Sequence, residues 1–416
     1  MRNFQSRKLK KSYELGKFSP LFKSDFLSDQ KAEKQVREDK FSPIVFDFGP
    51  LQIKVARHFG FCKGVENAIE VAYETLDANP GKKVYMISEL IHNPFVNADL
   101  RQRGLTFLKT SKGKQLVSWD EVQADDIVIT PAFGATLQDQ DILKQKGVSF
   151  QEVNATCRFV ENVWMRADEL GKKGFTIIVH GKAKHEETQA TFSHSNANAP
   201  TLILLNMEEA KEVGEMILKD DYSDFAGKYS HVASEGFNPE VDFQKVAVVN
   251  QTTMLASETL EVSTYFKEVM LKKYGEENIS EHVANTRDTL CYATKNNQTA
   301  TQRLLSESAD LSIIVGGRNS SNTTHLVELS ELHLPTYFVR SEADLLDDGS
   351  ILNFDYRTGE EETIKEFLPK SEPISILITS GASCPDAIVE RVIQKLAALV
   401  EGTKAVEEVI PSSING

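Results

Sequence analysis

The sequence predicts an α/β protein of three similar domains with largely parallel sheets, arranged with pseudo-three-fold symmetry around a common centre. Short β-branched runs alternate with helical patterns from residue 51 onward, which is typical of parallel strands joined by helices. In addition, Cys62, Cys157 and Cys291 each stand where a strand-like run gives way to an amphipathic helical pattern. We therefore expect each domain to direct one cysteine towards the centre.

The composition is that of a soluble enzyme. The chain has 416 residues and a formal net charge of −14, which argues against a nucleic-acid-binding body with a basic face. Its four cysteines are too few for a disulfide framework, so a reducing compartment is expected. The sequence has neither an apolar run of about 18 residues nor a secretory leader. These features predict a cytoplasmic protein with no nucleic-acid or membrane partner.

The N-terminal segment differs from the rest of the chain. Residues 1–40 carry eleven Lys or Arg and six Asp or Glu and show little periodicity, so we predict a mobile N-terminal extension over residues 1–50. Its acidic residues argue against a transit peptide.

The three predicted domains follow this extension. They cover residues 51–156, 157–290 and 291–416. Acidic, Gly- and Asp-containing stretches near 216–241 and 341–370 interrupt the alternation and are predicted to be surface insertions.

Each later strand-like run leads into a short polar loop. These runs lie at 83–87, 126–129, 175–179, 246–249, 311–315 and 375–378. Because ligands bind beyond the carboxyl ends of parallel strands, the loops should surround a common site.

Two of these loops are suited to a phosphate. Residues 316–322 and 379–383 combine glycines with hydroxyl side chains before a predicted helix, as phosphate-binding loops do. Either loop could instead be an ordinary capping turn. Neither matches a nucleotide-binding fingerprint.

Other candidates also lie at strand ends. His92 and His185 could bind an anion or have structural roles, and Glu187 near His185 could form a proton-delivering pair with it. Thr252 and Thr253 could be part of the site or cap a helix.

The three cysteines pose the main chemical question. The positive end of a helix lowers a thiol pKa, so the sequence predicts thiolates at Cys62, Cys157 and Cys291. A Cys₃His zinc site and three unrelated buried cysteines are alternatives. Structural zinc usually takes ligands in close pairs, and lone cysteines from three domains favour a central cofactor with an exchangeable position. Cys384 breaks the pattern of one cysteine per domain and is predicted not to be a ligand.

Taken together, these motifs resemble the 4-hydroxy-3-methylbut-2-enyl diphosphate reductase family. The resemblance runs from about Ile53 to Leu396 and rests on eight motifs in the family's order. They are Gly60-Phe61-Cys62-Lys63-Gly64-Val65, Ile91-His92-Asn93-Pro94, Ala155-Thr156-Cys157, His185-Glu186-Glu187-Thr188, Gln251-Thr252-Thr253, Cys291-Tyr292-Ala293-Thr294, Asn319-Ser320-Ser321-Asn322 and Ser380-Gly381-Ala382-Ser383.

The resemblance implies an activity, a cofactor and a set of site residues. The expected reaction is the reductive dehydroxylation of 4-hydroxy-3-methylbut-2-enyl diphosphate to isopentenyl and dimethylallyl diphosphate, with two electrons passing through one [4Fe–4S] cluster. The implied cluster ligands are Cys62, Cys157 and Cys291. The implied diphosphate ligands are His92, His185, Ser320, Ser321, Asn322 and Ser383. The implied proton relay is Glu187 with Thr252 or Thr253.

One departure from the family pattern concerns Phe133. Many members have histidine at this position, in an Ala-His-Gly sequence, so one diphosphate donor is missing here. The form with phenylalanine and a long N-terminal extension is typical of cyanobacteria and plastids.

The absence of a nucleotide-binding fingerprint predicts that a separate protein, a ferredoxin or flavodoxin, supplies the electrons. A phosphate-binding enzyme without a cluster and a cluster-containing phosphate sensor are the alternatives.

Overall fold

The computed structural model describes residues 39–284, 291–370 and 372–409, together with 22, 24, 27 and 289. The strands in chain order are β1 (Ile44–Asp47), β2 (Leu51–Val55), β3 (Val84–Met86), β4 (Leu105–Phe107), β5 (Ile127–Ile129), β6 (Thr176–His180), β7 (Thr201–Leu204), β8 (Val246–Asn250), β9 (Leu311–Val315), β10 (Thr336–Val339), β11 (Ile351–Asp355), β12 (Glu360–Ile364) and β13 (Ile374–Ser380).

Helices connect most of these strands. In chain order they are α1 (Lys63–Ala78), α2 (Pro94–Gln102), α3 (Leu137–Gln145), α4 (Arg158–Gly171), α5 (Glu186–Asn196), α6 (Met207–Lys219), α7 (Phe225–Tyr229), α8 (Pro239–Asp242), α9 (Ala256–Tyr274), α10 (Ile279–His282), α11 (Tyr292–Leu305), α12 (Ser321–Glu331), α13 (Asp386–Leu399) and α14 (Val406–Val409). Short 3₁₀ turns lie at Trp119–Glu121, Gln151–Val153, Ser230–Val232, Glu276–Asn278 and Glu342–Asp344.

Eleven of the thirteen described strands form three sheets with parallel centres, and β11 and β12 form a separate antiparallel pair. The first sheet has the order β4-β3-β5 and the second has the order β7-β6-β8. The third has the order β1-β2-β13-β9-β10, in which only the edge strand β1 is antiparallel to its neighbour. Every residue of β6, β8 and β9 is buried, as expected for strands covered on both faces. The predicted α/β class with largely parallel sheets is confirmed.

The chain passes from one sheet to the next at each of the three cysteines. Cys62 follows β2 of the third sheet and precedes α1, whose apolar face packs on the first sheet. Cys157 follows Asn154, which pairs in parallel with Thr130 at the end of β5, and precedes α4, which packs on the second sheet.

The third cysteine repeats this arrangement. Val283 pairs in parallel with Val246 of β8 in the second sheet. After Cys291, α11 packs through Ala300 and Leu304 against Leu377 of the third sheet. Each cysteine is therefore at the start of a helix that begins a new layer.

The pairing of β2 bears on the predicted domain division. β2 lies within the predicted first domain (residues 51–156), but it pairs with β13 in the register Leu51↔Ile374. Its alternating buried residues lie in the core of the third sheet. The described elements of the first sheet therefore begin at α1, and residues 51–55 belong with the last part of the chain.

The predicted mobile extension needs correction where the structure describes it. Within residues 1–50, Leu27 is fully buried in the core of the third sheet and Phe22 is buried in that of the first. The strand β1 also falls in this range and pairs with β2. Apolar side chains in an otherwise polar segment provide this packing. The rest of the predicted extension before residue 39 lies outside the described residues.

The two predicted insertions are ordered segments. In the first, near 216–241, Phe225 and Tyr229 are buried in the core of the second sheet with Phe243. Aromatic side chains therefore anchor this stretch despite its polar composition. The second, near 341–370, contains the antiparallel β11–β12 hairpin, whose strand β12 is mostly exposed.

Candidate active site

Cys62, Cys157 and Cys291 occupy equivalent positions in the fold. Each is the N-cap residue of its helix (α1, α4 or α11), has extended backbone angles and makes no capping hydrogen bond with its side chain. The sulfur atoms are therefore left for another partner. Cys291 is buried, and Cys62 and Cys157 are half-buried.

A glycine makes room beside two of these sulfur atoms. A Cβ atom on Gly64 would lie 2.6 Å from Cys157 Sγ and 3.8 Å from Cys62 Sγ. The distance between the two sulfur atoms therefore cannot exceed the sum of these two distances. The first distance is too short for a real carbon atom, so only glycine leaves the sulfur of Cys157 accessible at this point.

The spacing of the side chains bears on the zinc alternative. Thiolates around one zinc ion lie about 3.8 Å apart, given a tetrahedron with Zn–S of about 2.3 Å. Among the residues that the structure describes, no group of three His, Cys, Asp or Glu side chains is placed to hold a single metal ion. The zinc and cluster alternatives share the three thiols as their donors.

Burial opposes the predicted thiolate form of the three cysteines. Burial raises the pKa of the Cys62 thiol to about 11 and that of the Cys157 thiol to about 12. Burial also raises the pKa of Cys291. Backbone N–H groups of the following helices act in the opposite direction, as predicted, but burial outweighs them. Buried thiols of this kind release their protons when a metal supplies positive charge.

Cys384 is in a different environment. It is fully buried in the apolar core of the third sheet, and its thiol is 3.7 Å from the carbonyl oxygen of Pro385. A small buried thiol in an apolar core behaves as a packing residue, which agrees with its predicted lack of a ligand role.

The two predicted histidines are in direct contact. Their Nε2 atoms are 3.1 Å apart, although His92 follows a strand of the first sheet and His185 one of the second. Burial, with the nearby positive charges of His92 and Lys182, holds the pKa of His185 well below its usual value. Its Nδ1 accepts a hydrogen bond from the backbone N–H of Glu187 at 3.2 Å. A neutral His185 with Nδ1 as acceptor therefore carries its proton on Nε2 and presents a donor there.

Phe133, the departure from the family pattern noted above, lies beside both histidines. Its ring stacks on His92 with centroids 4.2 Å apart and meets the edge of His185 at 5.5 Å. The phenylalanine supplies no hydrogen bond, but it fixes the planes of both imidazoles.

The predicted hydroxyl and amide ligands meet the histidines from the third sheet. Ser383 Oγ donates to the backbone carbonyl of His92 at 3.3 Å and is 3.4 Å from Ser320 Oγ. Ser320 caps α12, and its side chain accepts from the N–H of Thr323. The loop that contains Gly317 passes very close to the backbone of His92. A Cβ atom on Gly317 would lie only 2.2 Å from the carbonyl oxygen of His92.

The next two residues have polar atoms without partners. Ser321 and Asn322 are 4% and 3% exposed. The hydroxyl of Ser321 and both amide atoms of Asn322 have no hydrogen-bond partner. Such groups are costly to bury unless a ligand satisfies them. Their position in the first turn of α12, with its free N–H groups and positive end, suits an anion.

Glu187 has its own set of partners. It is 1% exposed, and it accepts hydrogen bonds from both the backbone N–H and the hydroxyl of Thr252, the latter at 3.0 Å. Burial raises the pKa of Glu187 to about 7, although the bonds from Thr252 oppose this. Its charge contributes to the raised pKa of Cys157 and Cys291.

The two threonines differ in their contacts. Thr252 bonds to Glu187, whereas the Thr253 hydroxyl accepts from Gln251 Nε2 at 2.7 Å. Gln251 Oε1 in turn accepts from the Thr188 hydroxyl at 2.9 Å and from the backbone N–H of Lys182 at 3.1 Å.

The sequence reasoning gave no role to two residues of this network, Asn319 and Gln251. Asn319 Nδ2 is 3.0 Å from His92 Nδ1 and donates to Glu89 at 3.0 Å. Gln251 connects the β6 and β8 loops. Both residues belong to the motifs quoted in the sequence analysis, next to residues with a predicted role. That position is the signal from which their role could have been predicted.

The described residues include no helix of the length and apolar character needed to cross a membrane.

Comparison with known proteins gave consistent matches. A sequence model of the LytB protein family matches residues 53–397. A 4-hydroxy-3-methylbut-2-enyl diphosphate reductase of Prochlorococcus marinus (strain MIT 9211) is 39% identical over 387 residues, covering 91% of this chain and 94% of the relative. One from Synechococcus sp. (strain CC9311) is 41% identical over 355 residues, covering 85% and 87%.

A solved structure also matches. The E-1-hydroxy-2-methyl-but-2-enyl-4-diphosphate reductase of Plasmodium falciparum has a TM-score of 0.58 at 24% identity, covering 82% of this chain and 86% of that one. This likeness supports the fold alone.

Proposed function

This chain is a member of the LytB protein family, and we propose that it catalyses the reductive dehydroxylation of 4-hydroxy-3-methylbut-2-enyl diphosphate. The substrate takes up two electrons and two protons, its terminal C–O bond breaks, and the oxygen leaves as water. The products are isopentenyl diphosphate and dimethylallyl diphosphate. Relatives that share about 40% of their residues with nearly the whole chain carry the name of this reductase.

One observation carries the proposal: a series of contacts connects the candidate anion site to the carboxyl-bearing residue Glu187. Ser320 is next to Ser383, which bonds to the backbone of His92. His92 is next to His185, which accepts from the backbone of Glu187. The charge of Glu187 in turn acts on the thiols of Cys157 and Cys291. In this proposal the substrate lies along this series, with its diphosphate at the serines and its hydroxyl at the thiol end.

The diphosphate binds, in this proposal, between the histidine pair and the first turn of α12. His185 Nε2–H donates to a phosphate oxygen, and His92 turns its own Nε2 to the same group. Ser321 and Asn322 supply the buried polar atoms that lack partners in the free protein. Ser320 and Ser383 complete the site with hydroxyls. Binding this remote group positions the reacting end of the substrate.

The thiols of Cys62, Cys157 and Cys291 would hold one [4Fe–4S] cluster with a fourth iron free of protein ligands. The thiol donor set, the space left by Gly64 and the absence of side-chain capping bonds fit such a group. When bound, the cluster supplies the electrons and a Lewis-acidic position for the substrate oxygen.

Glu187 is the proposed proton donor for the departing oxygen. Its buried carboxyl has a pKa raised to about 7, so a large fraction of it is protonated at neutral pH and can act as a general acid. Thr252 fixes the carboxyl through its hydroxyl and its backbone N–H. Its hydroxyl can pass the proton on, donating to the oxygen while accepting from Glu187. Thr253, bonded to Gln251, supports the loop from the opposite side.

We also propose that the enzyme works in the cytoplasm and takes electrons from a ferredoxin or a flavodoxin. Four cysteines without disulfides suit a reducing compartment. The sequence has no nucleotide-binding fingerprint for a flavin or nicotinamide of its own.

Anaerobic turnover tests the proposed function. Purified protein with a reduced dye should consume 4-hydroxy-3-methylbut-2-enyl diphosphate and release both isoprenoid diphosphates. A cluster-containing protein that binds the substrate but does not convert it would instead be a sensor. A colourless, iron-free protein that still converts the substrate would rule out the cluster mechanism.

A further inference from the structure

The β11–β12 hairpin, in the second predicted insertion, packs on the elements that carry the diphosphate loop. Phe354 and Tyr356 of the hairpin contact a small apolar cluster with members on β9 and α12, the two elements that flank residues 316–320. The hairpin is also bonded to β10, where the backbone N–H of Phe338 donates to the side-chain oxygen of Asn353 at 2.8 Å. The hairpin therefore contacts both elements that hold this loop.

Arg318 connects the loop to the hairpin. It is one of the two central residues of a turn in which the N–H of Ser320 donates to the carbonyl oxygen of Gly317 at 2.9 Å. Its guanidinium lies over the ring of Phe354, 5.2 Å from the centroid, and pairs with the carboxylate of Glu361. Phe354 and Glu361 are directly opposite each other in the register of the two strands, so their side chains project from the same face of the hairpin. That face therefore presents both a ring and a carboxylate to the arginine.

The two neighbours of Arg318 in the chain lie against His92. A Cβ atom on Gly317 would lie only 2.2 Å from the carbonyl oxygen of His92, and Asn319 Nδ2 is 3.0 Å from His92 Nδ1. The next residue, Ser320, caps α12 and belongs to the proposed diphosphate site. Because these residues form one turn, a shift of Arg318 would move the groups on both sides of it.

The two contacts of Arg318 are strong enough to influence this turn. The side chain of Arg318 is 23% exposed and that of Glu361 is 36% exposed, so water screens their attraction less than on an open surface. A partly exposed ion pair and a cation over an aromatic ring each change an equilibrium constant by about two- to fivefold. Together they favour the observed turn over other conformations by roughly tenfold.

We propose that Phe354 and Glu361 are positioning residues for diphosphate binding, an inference that rests on the proposed function. They hold Arg318, and Arg318 keeps the turn in the conformation in which Ser320 and the first turn of α12 bind the phosphate oxygens. Neither Phe354 nor Glu361 touches the diphosphate itself. The hairpin that the sequence predicted as a surface insertion therefore takes part in substrate binding.

Removal of both contacts tests this inference. The variant Phe354→Leu/Glu361→Gln keeps an apolar side chain in the cluster and a side chain of unchanged size beside Arg318. The probe is inorganic pyrophosphate, and its dissociation constant is measured by titration calorimetry with the cluster-loaded enzyme. We expect this constant to rise by about three- to tenfold, because a smaller fraction of the protein has the binding-competent turn. A wild-type dissociation constant in the double variant would overturn the inference.

Turnover provides a second measurement on the same variant. With a reduced dye, KM for 4-hydroxy-3-methylbut-2-enyl diphosphate should rise by the same factor, while kcat and the iron content stay at the wild-type values. A fall of kcat and iron content without a change in KM would mean general damage to the fold and would contradict a positioning role. If the double variant does not fold, Glu361→Gln alone is measured in its place and should weaken pyrophosphate binding by about two- to threefold.

Arg357 provides the matched control. It pairs with Glu331 in the last turn of α12, so Arg357→Gln removes another ion pair between the hairpin region and α12, at the end far from the turn. This variant should bind pyrophosphate with wild-type affinity. Phe354→Tyr keeps an aromatic ring beside Arg318 and should do the same. Equal weakening by Arg357→Gln and by the double variant would mean that the hairpin only stabilises the domain, and would overturn the inference.

Pyrophosphate binding does not depend on turnover, so this inference and the proposed function can fail separately. A wild type that binds pyrophosphate more tightly than the double variant but does not convert the substrate would refute the proposed reaction and leave the positioning role standing. A wild type and a double variant that convert the substrate with equal KM would refute the positioning role alone.

Discussion

Replacing Glu187 by glutamine tests the proposed proton delivery. Glutamine has nearly the same shape, can accept the backbone N–H of Thr252 through its oxygen and can donate to the Thr252 hydroxyl through its nitrogen. It cannot supply an acidic proton. We therefore expect kcat to fall by roughly 10²-fold or more, the usual size of lost general-acid catalysis, while the dissociation constant of the substrate changes little.

The pH dependence follows from the raised pKa of Glu187. A pKa of about 7 means that the acidic form predominates below pH 7 and disappears as the pH rises. The wild-type kcat should therefore fall as the pH rises through 7, and the remaining activity of Glu187→Gln should lack this step.

The raised pKa of Glu187 also makes the stability of the folded protein depend on pH. The carboxyl has a pKa of 4.5 without the fold and about 7 within it, so the folded state holds a proton that the unfolded chain has lost in that window. Stability therefore falls as the pH rises from 4.5 to 7, by roughly 3 kcal/mol in all. Glutamine removes this penalty. At pH 8 the variant should unfold no more readily than the wild type.

Glu186→Gln is the matched control. Glu186 is the neighbouring residue on α5, and burial also raises its pKa, but it bonds to Ser88 rather than to the proposed relay. Steady-state kinetics and substrate titration on both variants decide the matter. A large loss of affinity with near-normal kcat in Glu187→Gln would mean that the carboxyl only orients His185.

Four further substitutions address individual contacts. Thr252→Ala should lower kcat by roughly 10²-fold because the buried carboxyl of Glu187 loses its hydroxyl partner. Thr253→Ala should lower kcat much less. Equal losses of kcat in the two variants would contradict the assignment of the relay to Thr252. Phe133→Ala should raise KM by about two- to tenfold through the lost ring stacking, with kcat nearly unchanged, and a kcat effect of the same size would refute a purely positioning role. Asn322→Ala should weaken substrate binding by about tenfold or more, as calorimetry would measure. Since both of its amide atoms are unpaired, denaturant unfolding without substrate should not detect a loss of stability, and such a loss would point to a structural role.

The sequence predicted the parallel strands with little error because buried β-branched runs have few alternatives. The run 311–315 agrees with the observed β9, and the runs around β6 and β8 differ by a residue at their ends. The short parallel strands β4, β7 and β10 were not predicted. Strands of three or four residues carry too little pattern to be distinguished from a loop.

The pairing of strands that are far apart in the chain could not be predicted from the sequence. Nothing near Leu51 indicates that its partner is Ile374, more than 300 residues away, rather than the next strand along the chain. The burial of Leu27 and Phe22 was also not predicted. Isolated apolar residues in a basic segment show no pattern that distinguishes a buried side chain from an exposed one.

The candidate site was predictable through its motifs but not through its electrostatics. Burial has to be known before a thiol pKa can be judged, and burial raises the pKa of Cys62 and Cys157 although both lie at helix N-termini. The contact between His92 and His185 depends on how two sheets meet, which no local pattern contains.

The iron and sulfide content of single cysteine variants, purified without oxygen, tests the central claim most directly. The wild type should contain about four irons and four sulfides per chain. Serine at Cys62, Cys157 or Cys291 should each abolish stable cluster binding, because only two protein thiolates remain. Cys384→Ala should keep the full cluster, since this side chain is buried in the apolar core of the third sheet. A cluster-free Cys384→Ala protein, or a cluster-replete Cys157→Ser protein, would contradict the proposed metal centre.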